Sequence, residues 1–253
     1  MAAILRTHEN RRLTVQSGMT DNLRLHYAPD NASLVIRLAL EEMGVPYDTV
    51  LVDRRSGQQK SAGYLALNPN GLIPVLETPH GPMFETAAIL LWLSDTYDGP
   101  DPAPDDPDRV PYLSWLFFAS NALHADLRMT FYPDQYVAGR DNVHLDLRAG
   151  LRTRLNGHLG RLDNLVSRNP AWLNGARPTG LAWYIACMTR WMALYPANGD
   201  RSWFSLARWP HLTRMLSALE TRRATRIAAK AEGLGPAPFT APGHPNPLEG
   251  SAT

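Results

Sequence analysis

The sequence contains a single cysteine among its 253 residues, so an intramolecular disulfide is excluded. No segment approaches the roughly 20 consecutive apolar residues that cross a bilayer, so we expect no membrane association. Neither sign of charge is in excess, because 25 Lys and Arg stand against 24 Asp and Glu. Nucleic-acid binding is not expected either, since it needs basic residues concentrated on one face. These absences predict a globular protein of the cytoplasm.

Three kinds of chemistry also lack their residues. No Cys-x-x-Cys pair is present, which excludes dithiol redox chemistry of the thioredoxin type. The eight histidines include no pair at metal-ligand spacing, so no metal site is predicted. A glycine-rich phosphate-binding loop is missing as well.

Prolines divide the chain into domains. The acidic, proline-rich run DGPDPAPDDPDRVP opposes both helix and strand, and the last 21 residues are again rich in proline and poor in large apolar residues. The first residues lack the apolar run of about 7 or more that a signal peptide needs. We therefore predict a disordered leader (1–20), a first domain (21–98), a linker (99–111), a second domain (112–232) and a flexible tail (233–253).

The first domain alternates strand and helix patterns. Residues Leu23 to Tyr27 alternate apolar and polar side chains as a strand does, and Ser33 to Met43 form one apolar helical stripe that ends at Gly44. Tyr47 to Val52 predict a second strand, which completes a βαβ unit. Two short strands and a helix follow, at Ile73 to Glu77, Met83 to Phe84 and Ala87 to Tyr97. The order βαβ-ββα predicts a thioredoxin-like α/β domain.

The second domain shows only helical periodicity. Its predicted helices are Tyr112 to Met129, His144 to Val166, Thr179 to Tyr195 and a pair between Pro210 and Glu232. We therefore expect an all-α helical domain after the linker. Cys187 lies among apolar residues of the third helix, which predicts an inert buried thiol.

The run NPNGLIPVLETPHGPMFETAAILLWLSD, residues 68–95, resembles the glutathione S-transferase family. The family has Asn-Pro-x-Gly, an aliphatic-Pro pair, a strand, and Glu-Ser/Thr leading a helix in the same order. The resemblance extends over both domains, 21–232. It implies glutathione as co-substrate on the first domain, a small apolar co-substrate between the domains, and a homodimer.

Residues of this run suit a γ-glutamyl ligand. A cis bond before Pro74 would turn the Ile73 backbone outward to pair with a peptide. Glu85 and Thr86 open a helix, where free N–H groups and the positive dipole end attract a carboxylate. Helix capping is the structural alternative for the same two residues. The family also uses a polar residue after the second strand, for which the candidates are Gln58, Gln59 and Lys60.

The residue that activates the thiol departs from the family. HYAPDNASL is similar to the bacterial beta class pattern Tyr-x-Pro-Gly-x-Cys-Ser-Leu, and Ala32 fills the position of the catalytic Cys. Asp30 fills the Ser position of the Ser-using classes, where a carboxylate would repel a thiolate. The remaining donors are Ser33, Asn31 and Tyr27. A simple helix N-cap is the alternative role for Ser33.

A second candidate comes from the helical domain. WLFFASNALHADL, residues 115–127, resembles the beta class helix motif ending in Glu-Leu-His-Lys, and His124 matches its His. An imidazole donates to or accepts from a thiol at neutral pH, although packing within the helix is the alternative role. The resemblance places a substrate pocket beside this helix, with Arg128, Tyr132 and Tyr136 as candidate lining residues.

The third predicted helix of the second domain resembles the family's Pro-Thr/Ser-x-x-Asp capping box. Thr179 matches the capping residue, but Ala182 fills the Asp position. The reciprocal bond to the cap backbone is therefore missing, and we expect some loss of helix stability.

Three functions follow from these residues. The first is a glutathione S-transferase-like enzyme that activates the glutathione thiol for attack on a small apolar electrophile, a peroxide or a disulfide. The second is a non-catalytic glutathione-binding or interaction protein that has lost the activating residue. The third is a specialised biosynthetic or catabolic enzyme that uses glutathione as sulfur donor or cofactor.

Overall fold

The computed structural model describes residues 22–138, 141–173 and 177–252. Its N-terminal part contains a mixed sheet in the spatial order β2-β1-β3-β4. Strand β1 pairs with β2 in parallel and with β3 antiparallel, and β3 pairs antiparallel with β4. The strands are β1 (Leu23–Tyr27), β2 (Tyr47–Leu51), β3 (Val75–Thr78) and β4 (Gly81–Phe84). The predicted leader lies outside the described residues.

Three helices belong to the sheet domain. They are α1 (Ser33–Met43), α2 (Ala62–Leu67) and α3 (Thr86–Thr96). Helix α1 has the predicted bounds and ends at Gly44, whose φ of +67° suits a residue without a side chain. The prediction missed α2, which is short and begins where the Ser61 hydroxyl accepts the Tyr64 N–H at 3.3 Å. The sheet domain is therefore βαβαββα, with the thioredoxin-like topology otherwise as predicted.

The C-terminal part of the described chain is helical, which confirms the predicted fold class. A continuous helical rod runs through α4 (Arg109–Phe118), a π turn (Ala119–His124) and α5 (Ala125–Phe131). It is followed by α6 (Asp141–Ser167), α7 (Gly180–Leu194), α8 (Pro210–Glu220) and α9 (Arg223–Glu232). None of the helices within the described ranges is long and apolar enough to cross a membrane.

Helix α7 is the centre of the molecule. Fourteen of its 15 residues are buried, as expected of a helix that is apolar on every side. Its side chains belong to one apolar core that also contains Leu25 of β1 and Leu38 of α1. The sheet domain and the helical domain are therefore joined by a shared core. Cys187 is fully buried in this helix, and burial raises the pKa of its thiol well above the usual value.

The segment between the domains is more ordered than a spacer. Asp101 is buried, and its carboxylate accepts the Gly180 N–H at 2.8 Å and the Tyr112 hydroxyl at 2.5 Å. Thr179 makes no side-chain cap bond to α7. The expectation that the Thr179 side chain caps this helix is therefore wrong, and the linker carboxylate of Asp101 supplies the cap from outside the helix.

The C-terminal segment corrects the prediction of a flexible tail. Residues 233–252 form neither helix nor strand, yet Leu234 and Phe239 are each only 2% exposed. The Glu220 carboxylate accepts the N–H groups of Phe239 at 2.8 Å and Thr240 at 2.7 Å. The segment is ordered without regular structure because its apolar side chains are buried and its backbone bonds to Glu220 and to Arg190, which donates to the Pro238 and Gly243 carbonyls at 3.0 Å.

Candidate functional site

Two segments of the sheet domain carry most of the predicted site residues. We call Ile73, Pro74, Glu85 and Thr86 the β3–α3 side, and residues 27–33 the β1–α1 side. The first joins α2 to β3 and opens α3, whereas the second follows the carboxyl end of β1. His124 comes from the helical domain.

The approach to the β3–α3 side is fixed by the Asn-Pro-x-Gly motif. The Asn68 side-chain amide and the Tyr64 hydroxyl both donate to the Leu72 carbonyl at 2.8 Å. Gly71 has a φ of +60°, and a Cβ there would lie 2.9 Å from the Gln59 carbonyl oxygen. Only glycine therefore fits at this turn, and the motif holds the chain that leads into Ile73.

The β3–α3 side has the backbone that the sequence predicts. The Ile73–Pro74 bond is cis. Glu85 is exposed and has a φ of +73°, a conformation that costs about 1–3 kcal/mol in residues with a side chain and is concentrated at functional sites. It makes no capping bond to α3, so the capping alternative is not realised by Glu85. Thr86 is buried at the first position of the helix.

The polar candidates after β2 lie in a short turn, Gln58–Lys60. The Gln58 side-chain oxygen accepts the Asp53 N–H at 2.7 Å and closes that loop. Lys60 is exposed. Gln59 has a buried side-chain oxygen without a hydrogen-bond partner among the described residues. The structure therefore ties Gln58 to the loop, whereas the Gln59 side chain keeps an unused acceptor.

Ser33 is buried within the β1–α1 side. Its hydroxyl donates to the Ala28 carbonyl at 3.1 Å and accepts the Ala28 N–H at 3.3 Å, and the residue has no solvent exposure. The N-cap of α1 is Ala32. Ser33 therefore closes the loop, which corrects both expectations for it, because its proton is committed and it does not cap the helix. The Asn31 side-chain oxygen accepts the Ala32 N–H at 2.8 Å.

Tyr27 is also engaged. Its hydroxyl donates to the Glu249 carboxylate at 2.5 Å, and the Arg37 guanidinium lies 4.6 Å from the centre of its ring. Burial and the hydrogen bond to Glu249 raise the pKa of the Tyr27 hydroxyl above its usual value. A thiol would have to displace Glu249 to receive the Tyr27 proton, which corrects the expectation that this hydroxyl is available.

Asp30 takes no part in repelling a thiolate, because helix α7 surrounds its carboxylate with donors. Arg190 donates to it at 2.8 and 3.0 Å, Trp191 at 3.0 Å and Tyr195 at 2.7 Å. Its backbone N–H donates to Glu232 at 2.8 Å. Asp30 and Arg190 are both fully buried ion-pair partners, so this contact fastens the β1–α1 side to the helical domain.

His124 lies at the end of the π turn and connects to the β3–α3 side. Its Nδ1 is 2.7 Å from the Tyr184 hydroxyl. Burial raises the pKa of Tyr184, and the nearby Thr86 side chain opposes that rise. The His124 ring meets Tyr184 edge-on and lies 5.7 Å from the Trp191 ring. A π turn is a frequent feature of functional sites. The predicted histidine and the predicted γ-glutamyl residue therefore both adjoin Tyr184.

Burial and, to a smaller extent, the charge of the nearby Arg128 lower the pKa of His124 to about 4. The ring is therefore neutral at pH 7. A neutral imidazole has one N–H donor and one acceptor nitrogen, so the Tyr184 bond at Nδ1 decides which nitrogen carries the proton.

The predicted pocket residues after this helix lie in two groups. Arg128 donates to the Tyr136 hydroxyl at 3.1 Å and to the Gln135 side-chain oxygen at 3.2 Å. Tyr136 is exposed, so this pair lies near the protein surface. The Tyr132 hydroxyl instead accepts a hydrogen bond at 3.1 Å from Arg54, in the loop after β2. Of the predicted set, Tyr132 is thus the residue that meets the sheet domain.

Sequence reasoning missed Arg190, Trp191 and Tyr184. Each lies in α7, more than 50 residues from its partner, so spacing gives no signal. The available signal for a buried polar contact was that an arginine and a tyrosine stand within a predicted helix whose other residues are mostly apolar. The described residues contain no group of three or more His, Cys, Asp or Glu suited to a metal ion.

The family profile described as glutathione S-transferase, N-terminal domain, matches residues 32–96. Glutathione S-transferase GST-4.5 of Xanthomonas campestris pv. campestris is 30% identical over 220 residues, which cover 84% of this chain and 100% of the relative. This chain belongs to the glutathione S-transferase family.

Solved structures of the family agree with this fold. A sphingomonad glutathione S-transferase complexed with glutathione has a TM-score of 0.67 and 27% identity, and the match covers 84% of this chain and 100% of that one. The bacterial beta class enzyme of Sphingomonas chungbukensis has a TM-score of 0.66 and 25% identity over 83% and 98% of the two chains. The predicted family and its thioredoxin-like plus helical architecture are confirmed.

Proposed function

We propose that this member of the glutathione S-transferase family binds glutathione on its β3–α3 side and activates the thiol with His124. The observation that carries the proposal is the 2.7 Å contact of His124 with the Tyr184 hydroxyl, which lies near Thr86 at the start of α3. The backbone of Ile73 beside Pro74 pairs with the peptide, and Glu85 and Thr86 hold the γ-glutamyl ammonium and carboxylate at the start of α3. Gln59 and Lys60 are the further polar contacts to the tripeptide.

The contact with Tyr184 gives His124 its role. We assign the Tyr184 hydroxyl as donor to Nδ1 of His124, 2.7 Å away. The neutral ring then carries its own proton on Nε2. We assign this N–H as the donor that stabilises the glutathione thiolate, in place of the Cys or Ser used elsewhere in the family. The thiol proton passes to water, the thiolate attacks the electrophilic carbon of the co-substrate, and the leaving group departs with the electron pair of the broken bond.

The co-substrate is a small apolar electrophile bound between the domains, near Tyr132 and Arg54.

We also propose a homodimer, because the outer face of α4 leaves Val110 73% and Phe117 48% exposed. A cytoplasmic location fits the single buried cysteine. Sedimentation of the purified protein distinguishes monomer from dimer.

The test is a titration of the bound thiol against pH, followed by the ultraviolet absorbance of the thiolate. We expect the pKa of glutathione bound to the wild-type protein to fall below the roughly 8.5 of an unperturbed thiol. His124→Gln should return it toward that value without abolishing binding, whereas Thr86→Ala should weaken binding itself. The control is His80→Gln, because His80 is exposed in the β3–β4 turn.

A second function is favoured by one observation. The hydroxyls of Ser33 and Tyr27 are both engaged within the protein, as expected of a glutathione-binding protein without catalysis. Binding with an unchanged thiol pKa in the wild-type protein would select this alternative. Failure to bind glutathione would reject both functions.

A further inference from the structure

The last described residues follow a defined path back to the sheet domain. The Asn246 N–H donates to the Gly233 carbonyl at 2.9 Å, which anchors the segment beside the end of α9. A Cβ at Gly233 would lie 2.1 Å from the Asn246 carbonyl oxygen. This close approach requires glycine, so residues 233–246 form a fixed loop. We call residues 247–252, which continue from it, the C-terminal strap.

The C-terminal strap lies on the carboxyl ends of β1 and β2. The Glu249 carboxylate receives the Tyr27 hydroxyl proton, and a Cβ at Gly250 would lie 2.6 Å from Leu51 and 3.2 Å from Pro29. Gly250 also has a φ of +73°. Gly250 therefore packs so closely against the sheet domain that a side chain at this position would clash with Leu51.

The end of the C-terminal strap reaches the boundary between the domains. The Arg54 guanidinium donates to the Ala252 carbonyl and, through its other nitrogen, to the Tyr132 hydroxyl. Arg54 therefore contacts the strap and the helical domain together. Ser251 is buried, and its hydroxyl has no hydrogen-bond partner among the described residues. An unpaired buried hydroxyl costs about 1–3 kcal/mol. The burial of Ser251 therefore stabilises the closed position of the strap less than the burial of a paired hydroxyl would.

We propose that the C-terminal strap closes the co-substrate side of the cleft and must leave for a large apolar group to enter. The inference rests on the proposed function, because it concerns the same cleft. Ligands bind outside the carboxyl ends of parallel strands, and the strap covers that edge at Pro29, Leu51 and Arg54. The β3–α3 side makes none of the strap contacts described above. Glutathione itself therefore binds with the strap in place, and the apolar part of a conjugate competes with it.

The contacts allow such a release. Leu248 is 94% exposed, and Glu249 and Gly250 are exposed as well. The segment thus has little buried apolar area to lose, and its hydrogen bonds are near solvent, which is the signature of a region that opens locally. Two hydrogen bonds hold the strap, one from Tyr27 to Glu249, which we call the latch, and one from Arg54 to Ala252, which also packs against the apolar core.

The experiment compares two ligands by calorimetric titration, with glutathione as the small one and S-hexylglutathione as the one that carries an apolar chain. A variant that ends at Asn246 lacks the strap, and Glu249→Gln keeps the whole chain but weakens the latch. The matched control is Leu248→Ala, which changes the strap at a side chain that is 94% exposed. Far-ultraviolet circular dichroism verifies that each variant is folded.

The expected result is that S-hexylglutathione binds the shortened variant about tenfold more tightly than the wild-type protein, a difference of about 1.4 kcal/mol. Glu249→Gln should give a smaller gain of about threefold, Leu248→Ala none, and glutathione should bind all four proteins alike. In the contrary outcome, the wild-type and Glu249→Gln proteins bind S-hexylglutathione with equal affinity while glutathione binding is normal. That result would overturn the proposal that the strap closes the cleft, and the proposed function would stand. Absence of glutathione binding to every form would overturn the proposed function, and the strap's role with it.

Discussion

The two sides of the cleft have diverged in opposite ways. The β3–α3 side keeps the residues of the family pattern, and the exposed Glu85 carboxylate makes no cap to its own helix. The β1–α1 side has changed the pattern at Asp30 and Ala32, and its polar groups are used inside the protein. A ligand-binding segment and a structural segment thus occupy neighbouring loops of one sheet.

This difference indicates where chemistry has to come from. Because the Ser33 and Tyr27 hydroxyls are engaged within the protein, our proposal takes the thiol partner from the helical domain. His124 contacts Tyr184, which lies near Thr86 on the side of the cleft that has kept its residues. The helical domain also holds Asp30 through Arg190. Helix α7 therefore holds the β1–α1 side through Arg190 and carries Tyr184, which adjoins Thr86 of the β3–α3 side.

The largest effect should come from breaking the structural side. Arg190→Met leaves the Asp30 carboxylate buried without its cation, and we expect the free energy of unfolding to fall by about 3–5 kcal/mol. Urea denaturation measures this change. The control is Arg24→Met, whose pair with Glu77 spans 3.4 Å at the surface and contributes at most about 1 kcal/mol.

A double variant sharpens this result. Asp30→Gly restores the glycine of the beta class pattern, at a position whose φ of +49° glycine tolerates well. Combined with Arg190→Met, it should recover most of the lost stability, because no buried charge is then left unpaired. Additive losses in the double variant would show that the contact is not an electrostatic clamp.

The second effect concerns pH. The pKa of His124 is lowered to about 4 in the folded protein, against about 6.5 when unfolded. The unfolded chain therefore takes up the proton first as pH falls, so this contribution to stability is present above pH 6.5 and is lost as pH falls from 6.5 toward 4. Between pH 7 and pH 5 the loss is up to about 2 kcal/mol.

Denaturation of wild-type and His124→Gln proteins at both pH values isolates this contribution. The variant should lose less stability between pH 7 and pH 5 than the wild-type protein does. His80→Gln should follow the wild-type curve, since His80 is exposed. Identical curves for His124→Gln and the wild-type protein would show that His124 titrates normally.

The third effect tests the proposed role of Tyr184. Tyr184→Phe removes the hydroxyl that contacts Nδ1 of His124, and we expect kcat/KM for glutathione conjugation of chlorodinitrobenzene to fall about tenfold, or about 1.4 kcal/mol. The pH profile should change with it, because Nδ1 of His124 loses its partner. Tyr97→Phe is the control, since Tyr97 lies at the C-terminal end of α3, opposite the end that Thr86 opens. A change in stability alone, with unaltered kinetics, would argue against this role of Tyr184.

The smallest effect on activity should come from Ser33. Ser33→Ala removes the bonds to Ala28 and should lower the free energy of unfolding by about 1 kcal/mol. The pKa of the bound glutathione thiol should stay as in the wild-type protein, which the ultraviolet titration measures. A raised thiol pKa in this variant would return Ser33 to a catalytic role and remove the contrast between the two sides.

Local signals were sufficient for much of this structure. The bounds of α1 follow from an apolar stripe and a terminal glycine, and the run from Asn68 to Thr86 is a contiguous motif. The environment of Asp30 was not predictable, because its donors lie about 160 residues further along the chain. Its carboxylate was expected to face a thiol, whereas burial against α7 decides its partners. The packed tail was missed for the same reason, since its acceptor is Glu220 of α8.

The carboxylate of Asp101 has a consequence for how the protein is divided in practice. Because this linker residue completes the start of α7, a fragment cut at the end of the linker, at residue 112, would carry an uncapped central helix. The linker thus belongs energetically to the helical domain, and the sheet domain shares its core with that same helix. We expect the protein to melt in a single cooperative transition rather than as two independent units.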